Sequence, residues 1–399
     1  MIKNLNIIGA LLVIYIIFSS ATSISKTNSN EVFDNEILTT SLQVKLEKLI
    51  ENKCLEKDAH YYSYDELTEL LDELQQDYSN IFMYESLGKT HEGRNVWLVK
   101  ISDNVEINES EPEVLFTGGI HGNELPAYQV LIYSIKAIVE NYTVSTVNES
   151  LTNRIRNAVN NSEMFFVPMY NPDGCEAIKR KNSRNNSCIF GKTLFRGVDL
   201  NRNYDYNWDD VYKHPLRYIR IPRSFKALIE IIISPTNWLF ERGAILNPVT
   251  DFRSIFGGGM YRGPYAFSEP ETRGVKNFVE NHSVVIWIDY HTYGEEIFYP
   301  AKPWHYKDQS DLSIFKSISE NMSSINGYKT PTHKIPPSLN TSGGGIAWGY
   351  WSHDIYAFII ELCDSLKVNY NPDIEKMLEV YNNHLSVNLY VAERAMTMF

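Results

Sequence analysis

Short apolar, β-prone runs alternate with helically spaced runs from Ser63 to the C-terminus, and this alternation constrains the fold more than any other feature of the chain. Ile81–Ser86, Val96–Ile101, Val114–Phe116, Met164–Val167, Val284–Tyr290 and Phe358–Leu362 read as strands. Between them, a capping box of Ser63 with Glu66 opens a helix that keeps Leu67, Leu70, Leu71 and Leu74 on one face. Further helices are expected over Pro126–Asn141, around Leu151, Ile155 and Val159, from Ser268 with Glu271 as a second cap to Asn281, over Leu312–Ile325, and from about Pro372. The pattern predicts an α/β fold: a single domain with a mixed, mostly parallel central β-sheet and helices on both faces. Chemistry in such sheets gathers on loops at strand ends, and His121, Asn171, His291 and Glu361 fall there.

Hydrophobic residues make up 43% of the 399, enough to bury a large core, and a net charge of -12 repels polyanions, which excludes nucleic acid as a partner. At the N-terminus, Lys3 precedes the apolar run Ile7–Phe18 and the small residues Ser19, Ser20 and Ala21. Residues 1–21 therefore read as a signal peptide, too short and wrongly flanked for a membrane span, so the mature chain is expected to carry no stable span and to be secreted or held in the secretory-pathway lumen. Eight N-x-S/T sequons, from Asn108 to Asn340, agree with a secreted glycoprotein. Residues 22–58 read as a linker or short pro-segment, followed by one folded domain over 59–399. Of four cysteines, Cys54, Cys175, Cys188 and Cys363, the pair Cys175 with Cys188 is the first expectation for a disulfide, since both lie in one loop-rich stretch.

The chemistry centres on Glu113–Glu124, EVLFTGGIHGNE. An apolar run stops at two glycines and the turn presents His121 and Glu124, an imidazole and a carboxylate close enough to share one cation. His291, directly after VVIWIDY, completes a set of two histidines and one glutamate, which leaves a fourth position open on a zinc ion.

In order along the chain, TGGIHGNE, VPMYNPDG, GVDLNRNYDYNW, YRGPYAFSEPET, IDYHTYGE and YAFIIEL resemble the motifs of zinc metallocarboxypeptidases of the carboxypeptidase A type, and the similarity runs from about Tyr61 to Glu361. The resemblance implies one Zn2+ per chain held by His121, Glu124 and His291, with Glu361 as the catalytic carboxylate that takes a proton from water and passes it to the leaving amine. It implies that Asn201 and Arg202 grip the terminal carboxylate of the substrate, a contact for which a planar guanidinium is suited. Arg184 matches the arginine that steadies the oxyanion and touches the substrate, with Arg180 of the same basic stretch as the alternative inward-pointing residue; otherwise Arg180 and Lys181 read as a solvated charge run. Asp199 matches a carboxylate that orients a ligand histidine, His121. Ile346, in SGGGIAW, falls where the family sorts substrates, and an aliphatic residue there implies an apolar or aromatic C-terminal residue.

Two departures stand out. Leu339 takes the place of the family's mobile tyrosine, which implies weaker substrate binding. Residues 209–256, with FKALIEIII broken at Pro235, insert about 40 residues between NRN and YRGP, a length typical of lids or unstructured loops; an error in the translated gene is the other reading. Neither a globular pro-domain nor an added β-sandwich is expected. The sequence thus describes a secreted, monomeric exopeptidase that takes peptide or protein C-termini. A zinc amidase for cell-wall or poly-glutamate substrates and a non-catalytic C-terminus-binding homologue are the alternatives.

Overall fold

The computed structural model of the protein describes residues 60–143, 149–184, 187–189, 192–194, 197–208, 262–300, 308–330, 343–365 and 373–399. The expected signal peptide, the 22–58 segment, the 209–256 insertion and Leu339 lie outside these residues. Tyr61–Phe399 forms one compact unit.

Seven strands build the main sheet: β1 (Phe82–Lys89), β2 (Asn95–Ile101), β3 (Glu113–Gly118), β4 (Glu163–Val167), β7 (Val284–Thr292), β8 (Glu296–Phe298) and β9 (Tyr356–Leu362), in the order β1-β2-β4-β3-β7-β9-β8. A separate hairpin joins β5 (Ser187–Ile189) to β6 (Lys192–Leu194). The inner strands β4, β3, β7 and β9 run parallel, whereas β1, β2 and β8 pair antiparallel at the two sides. The outermost strands differ: β8 has three residues, and β1 slips register between Ser86 and Lys89. The mixed sheet expected from the alternation is the one found.

Each inner strand is apolar on both sides because helices cover both faces. Val114, Phe116, Ile286, Ile288, Tyr290, Phe358, Ile360 and Leu362 point into one core, with α1 (Tyr64–Asp77), α2 (Leu125–Thr143), α3 (Glu149–Val159), α6 (Gln309–Asn326) and α8 (Ile374–Met396). The alternate residues Leu115, Phe165, Val167, Trp287, Ala357 and Ile359 point into the other, with α5 (Pro270–Asn281) and α7 (Gly345–His353). The short α4 (Pro172–Ala177) starts at Asn171, whose side chain accepts from Gly174 N, with Pro172 at the first helical position.

The Ser63–Glu66 capping box forms as expected. The second expected cap does not. Helix α5 begins at Pro270 after Glu269, without a side-chain cap, and the Ser268 hydroxyl is spent on Glu269 Oε1 at 2.7 Å. Proline supplies the helical φ itself and has no amide hydrogen to be capped. The expected Cys175–Cys188 disulfide is not formed: Cys175 is a free buried thiol, 3.6 Å from the Gly119 carbonyl under the β3–α2 turn, and Cys363 is also free and buried.

Helix α8 carries one misfit, His384, which is fully buried beside the rings of Tyr290 and Tyr328. Neither ring nitrogen meets a partner among the described residues. Burial therefore pushes its pKa down from 6.5 to about 3, so the folded chain keeps it neutral where the unfolded chain would protonate it. Below pH 6.5 the unfolded state binds the extra proton, and stability falls as pH drops toward 3 with a limiting slope of about 1.4 kcal/mol per pH unit. A His384→Leu variant is expected to lose this component. Its thermal midpoint should fall less than the parent's between pH 6.5 and pH 4 in chelator, and parallel curves would refute the assignment.

Candidate metal centre

The parallel strands point their C-terminal ends at one crevice, between β3 and β7, where successive connections leave in opposite directions across the sheet. From β3 the chain passes Gly118 and Gly119 into a turn closed by Glu124 N on the His121 carbonyl at 3.1 Å, and the Ala127 amide then bonds Glu124 O as α2 starts. Gly122 is required in this turn: a Cβ there would lie 2.0 Å from the carbonyl carbon of Gly174 in α4. The close approach fixes His121 and Glu124 over the end of β3.

Across the crevice, His291 is the penultimate residue of β7 rather than lying after it, in register with Glu361 of β9. His121, Glu124 and His291 are all buried and can each bring a ligand atom within 4.8 Å of the others. Glu124 spans the gap, with Oε1 2.9 Å from His121 Nδ1 and Oε2 2.9 Å from His291 Nδ1, and Oε2 also accepts from Thr292 N at 3.2 Å. On the far side of each ring stands another carboxylate: Asp199 Oδ1 lies 3.2 Å from His121 Nε2 and Asp289 Oδ2 lies 2.9 Å from His291 Nε2. A ring that donates from Nε2 keeps the Nδ1 lone pair for a cation, so this donor set fits zinc.

Charge balance inside this pocket is set by neighbours. Burial alone would raise Glu124, but the two imidazoles hold its carboxyl well below the usual range. Burial would likewise lower His291, yet Asp289 and Glu124 outweigh it and raise its pKa well above the ordinary value. Asp199 is buried too, and Arg180 and His121 keep it far below the normal carboxylate range. For Glu361 burial wins and pushes its carboxyl up to about 7, despite His291 nearby.

Of the two arginines, the alternative, Arg180, is the one that lies beside the three candidate ligands. Arg180 faces the centre, with Nε on Asp199 Oδ2 at 2.9 Å and Nη1 3.6 Å from Glu124 Oε1. Arg184 turns away, its Nη1 2.5 Å from Glu269 Oε1 and 3.4 Å from the Ser268 carbonyl. Asn182 makes the turn between them: its Oδ1 accepts from the amides of Arg184 and Val198, while its Nδ2 bonds Glu269. Chain distance gives no such signal, since Arg184 stands nearer than Arg180 to Asp199 along the sequence, and a basic run does not show which members point inward.

Asn201 and Arg202 lie on a 3-10 turn, Leu200–Arg202, beside the centre. Asn201 Oδ1 accepts from Gly345 N at 3.0 Å, which sets the amide's orientation. Arg202 donates to the Asn201 carbonyl at 2.5 Å, while its Nε is buried with no partner among the described residues. The glycine loop seals this turn from outside: Gly343 has φ +80°, and a Cβ there would lie 2.0 Å from the Arg202 carbonyl oxygen. Ile346 follows in α7, 2% exposed, in the apolar cluster that holds Tyr204, Trp287 and Trp348.

The residue that sequence reasoning missed is Asp289. It stands two before His291 and is the first polar residue after the apolar VVIWI of the strand, and on a pleated strand that spacing places both on one face.

A zinc carboxypeptidase family model matches residues 67–219 and 258–386. A zinc carboxypeptidase of Saccharothrix mutabilis subsp. capreolus is 26% identical over 316 residues, 76% of this chain and 62% of the relative. Carboxypeptidase B of Astacus astacus is 25% identical over 324 residues, 76% of this chain and 87% of the relative. Among solved structures, carboxypeptidase A from Helicoverpa armigera shares the fold with a TM-score of 0.59 at 21% identity, covering 92% of this chain and 87% of that one. The match in sequence and fold, with a donor set suited to one zinc ion, makes this chain a member of the zinc carboxypeptidase family.

Proposed function

We propose that the protein is a zinc metallocarboxypeptidase that hydrolyses the last peptide bond of peptides or proteins, with a preference for apolar or aromatic C-terminal residues. The observation that carries the proposal is the convergence of His121, Glu124 and His291, with Glu361 on the neighbouring strand in register with His291. Bound there, zinc supplies a Lewis acid that brings the pKa of water toward neutrality and polarises a carbonyl.

The chain's own residues do the rest. Glu361, raised by burial into the range where a carboxyl can both take and give a proton, accepts one from the attacking water and returns it to the departing amine. Arg202 offers the substrate's terminal carboxylate a guanidinium whose buried Nε has no partner among the described residues, and Asn201 adjoins it. Such a contact favours exopeptidase over endopeptidase action. Arg180, partly exposed at the rim of the centre, is the cation placed to steady the oxyanion. Ile346 brings no charge to attract a lysine or arginine side chain. The presence of all three ligands together with Glu361 supports catalysis over a binding-only role. The apolar N-terminal run and the sequons support secretion as a glycoprotein, and we take the working unit to be a monomer. Among the described residues no helix is long and apolar enough to cross a membrane.

Three outcomes test this reading. Blocked dipeptides ending in Phe or Leu should be cleaved faster than those ending in Lys or Glu; chelator should stop the reaction, zinc should restore it, and amidation of the terminal carboxylate should abolish it. A Glu361→Gln variant should lose about 10²–10⁴-fold in kcat while retaining its zinc, because general acid–base transfer contributes on that order; parental turnover would refute the role. Arg180→Ala should lower kcat about 10²–10³-fold, the scale of one lost oxyanion contact. Arg184→Ala should instead lower thermal stability with little change in kcat, and the opposite ranking would restore Arg184 to the centre.

A further inference from the structure

A polar line runs through the otherwise apolar face of the sheet and ends at His291. Trp287 Nε1 donates to Thr117 Oγ1 at 2.8 Å, Thr117 Oγ1 donates to Asp289 Oδ1 at 2.7 Å, and Asp289 Oδ2 meets His291 Nε2 at 2.9 Å. Strand geometry builds it: Trp287, Asp289 and His291 alternate along one face of β7, and Thr117 of β3 is the register partner of Asp289. All four side chains are buried, so no solvent competes for these groups.

The direction of the line is forced by donor chemistry. An indole N–H can only donate, so Thr117 Oγ1 receives it and turns its own hydrogen to Asp289. A carboxylate can accept on both oxygens, and Oδ2 is left to take the hydrogen of His291 Nε2. Asn201 Nδ2 lies 3.3 Å from the same ring nitrogen, but with its oxygen held by Gly345 N the amide presents only N–H there and cannot accept that hydrogen. We infer that Trp287, Thr117 and Asp289 form a polarised hydrogen-bond relay that holds His291 in the tautomer with Nδ1 free for the metal, making Asp289 and Thr117 positioning residues for metal binding. The inference rests on the metal site proposed above and adds the residues that set the basicity of one of its ligands.

An amide at position 289 cannot satisfy the relay in either orientation. With its NH₂ toward His291 it favours the wrong tautomer; with its NH₂ toward Thr117 it leaves the threonine hydrogen without an acceptor. The test is zinc affinity of the metal-free protein, measured by competition with a chelator of known strength, for the parent, Asp289→Asn, Thr117→Val, Thr117→Ser and the Asp289→Asn/Thr117→Val pair. Circular dichroism and thermal melting of each metal-free protein verify folding. Asp289→Asn should weaken zinc binding about 10–100-fold and Thr117→Val about 3–10-fold, in line with the cost of losing a partner of a metal ligand. Thr117→Ser, which keeps the hydroxyl, should bind within about twofold of the parent, and the pair should be no weaker than Asp289→Asn alone, because coupled residues are not additive. Parental affinity in Thr117→Val, or losses that simply sum in the pair, would overturn the relay. Should Thr117→Val fail to fold, Trp287→Phe removes the donor that sets the polarity and is judged by the same affinity. Zinc binding by the parent without any peptidase activity would refute the proposed function while leaving the relay to be decided by these affinities.

Discussion

Glu124 is the residue through which the centre is held together. Its two oxygens face two imidazoles that arrive from different strands, and its second oxygen also takes the Thr292 amide at the end of β7. A fully buried carboxylate is costly unless it is paired and hydrogen-bonded, and here the two imidazoles that pair with it are also its candidate partners in metal binding. Asp199 and Asp289 extend the same logic outward, one behind each ring. The carboxylates gathered around two imidazoles suit a divalent cation.

The placement of that centre follows from the sheet. Because β3 and β7 are parallel neighbours, their connections leave the crevice free, and the loops that follow can lean in from both sides. Gly122 against Gly174 and Gly343 against Arg202 show how little room the surrounding backbone leaves. His291 and Glu361 lie in the sheet itself, while His121 and Glu124 sit in a turn pressed against α4 at Gly122.

Much of this was legible in the sequence wherever the signal was local. Strands were foreseen within a few residues of their ends, because buried parallel strands read as unbroken apolar runs, and His121 and Glu124 share one turn. His291 closes such a run, whereas Glu361 stands out only through the resemblance of YAFIIEL to the family's motif. Features that depend on pairing across the chain were not. Asp289 gains its meaning from Thr117, a register neighbour 172 positions away in the chain. Arg180 and Arg184 exchange places because Asn182 turns the backbone between them, and no periodicity records that. Helix α7, GIAWGYWSH, was missed because six of its nine residues are buried and it has no polar face to give a period. Strand β8 is too short to stand out, and Cys175 is committed to packing under a turn where spacing suggested a disulfide.

The two ends of the sheet bear on how the protein behaves in crowded solution. One border is only three residues wide, and the other loses its regular ladder beyond Ser86, next to the exposed Glu85. Little straight, unpaired backbone is left for a second molecule to zip onto, and growth of intermolecular strands is discouraged at both borders. Among the described residues, the sheet thus offers a neighbouring copy no long regular ladder to extend at the β8 border and an interrupted one at the β1 border.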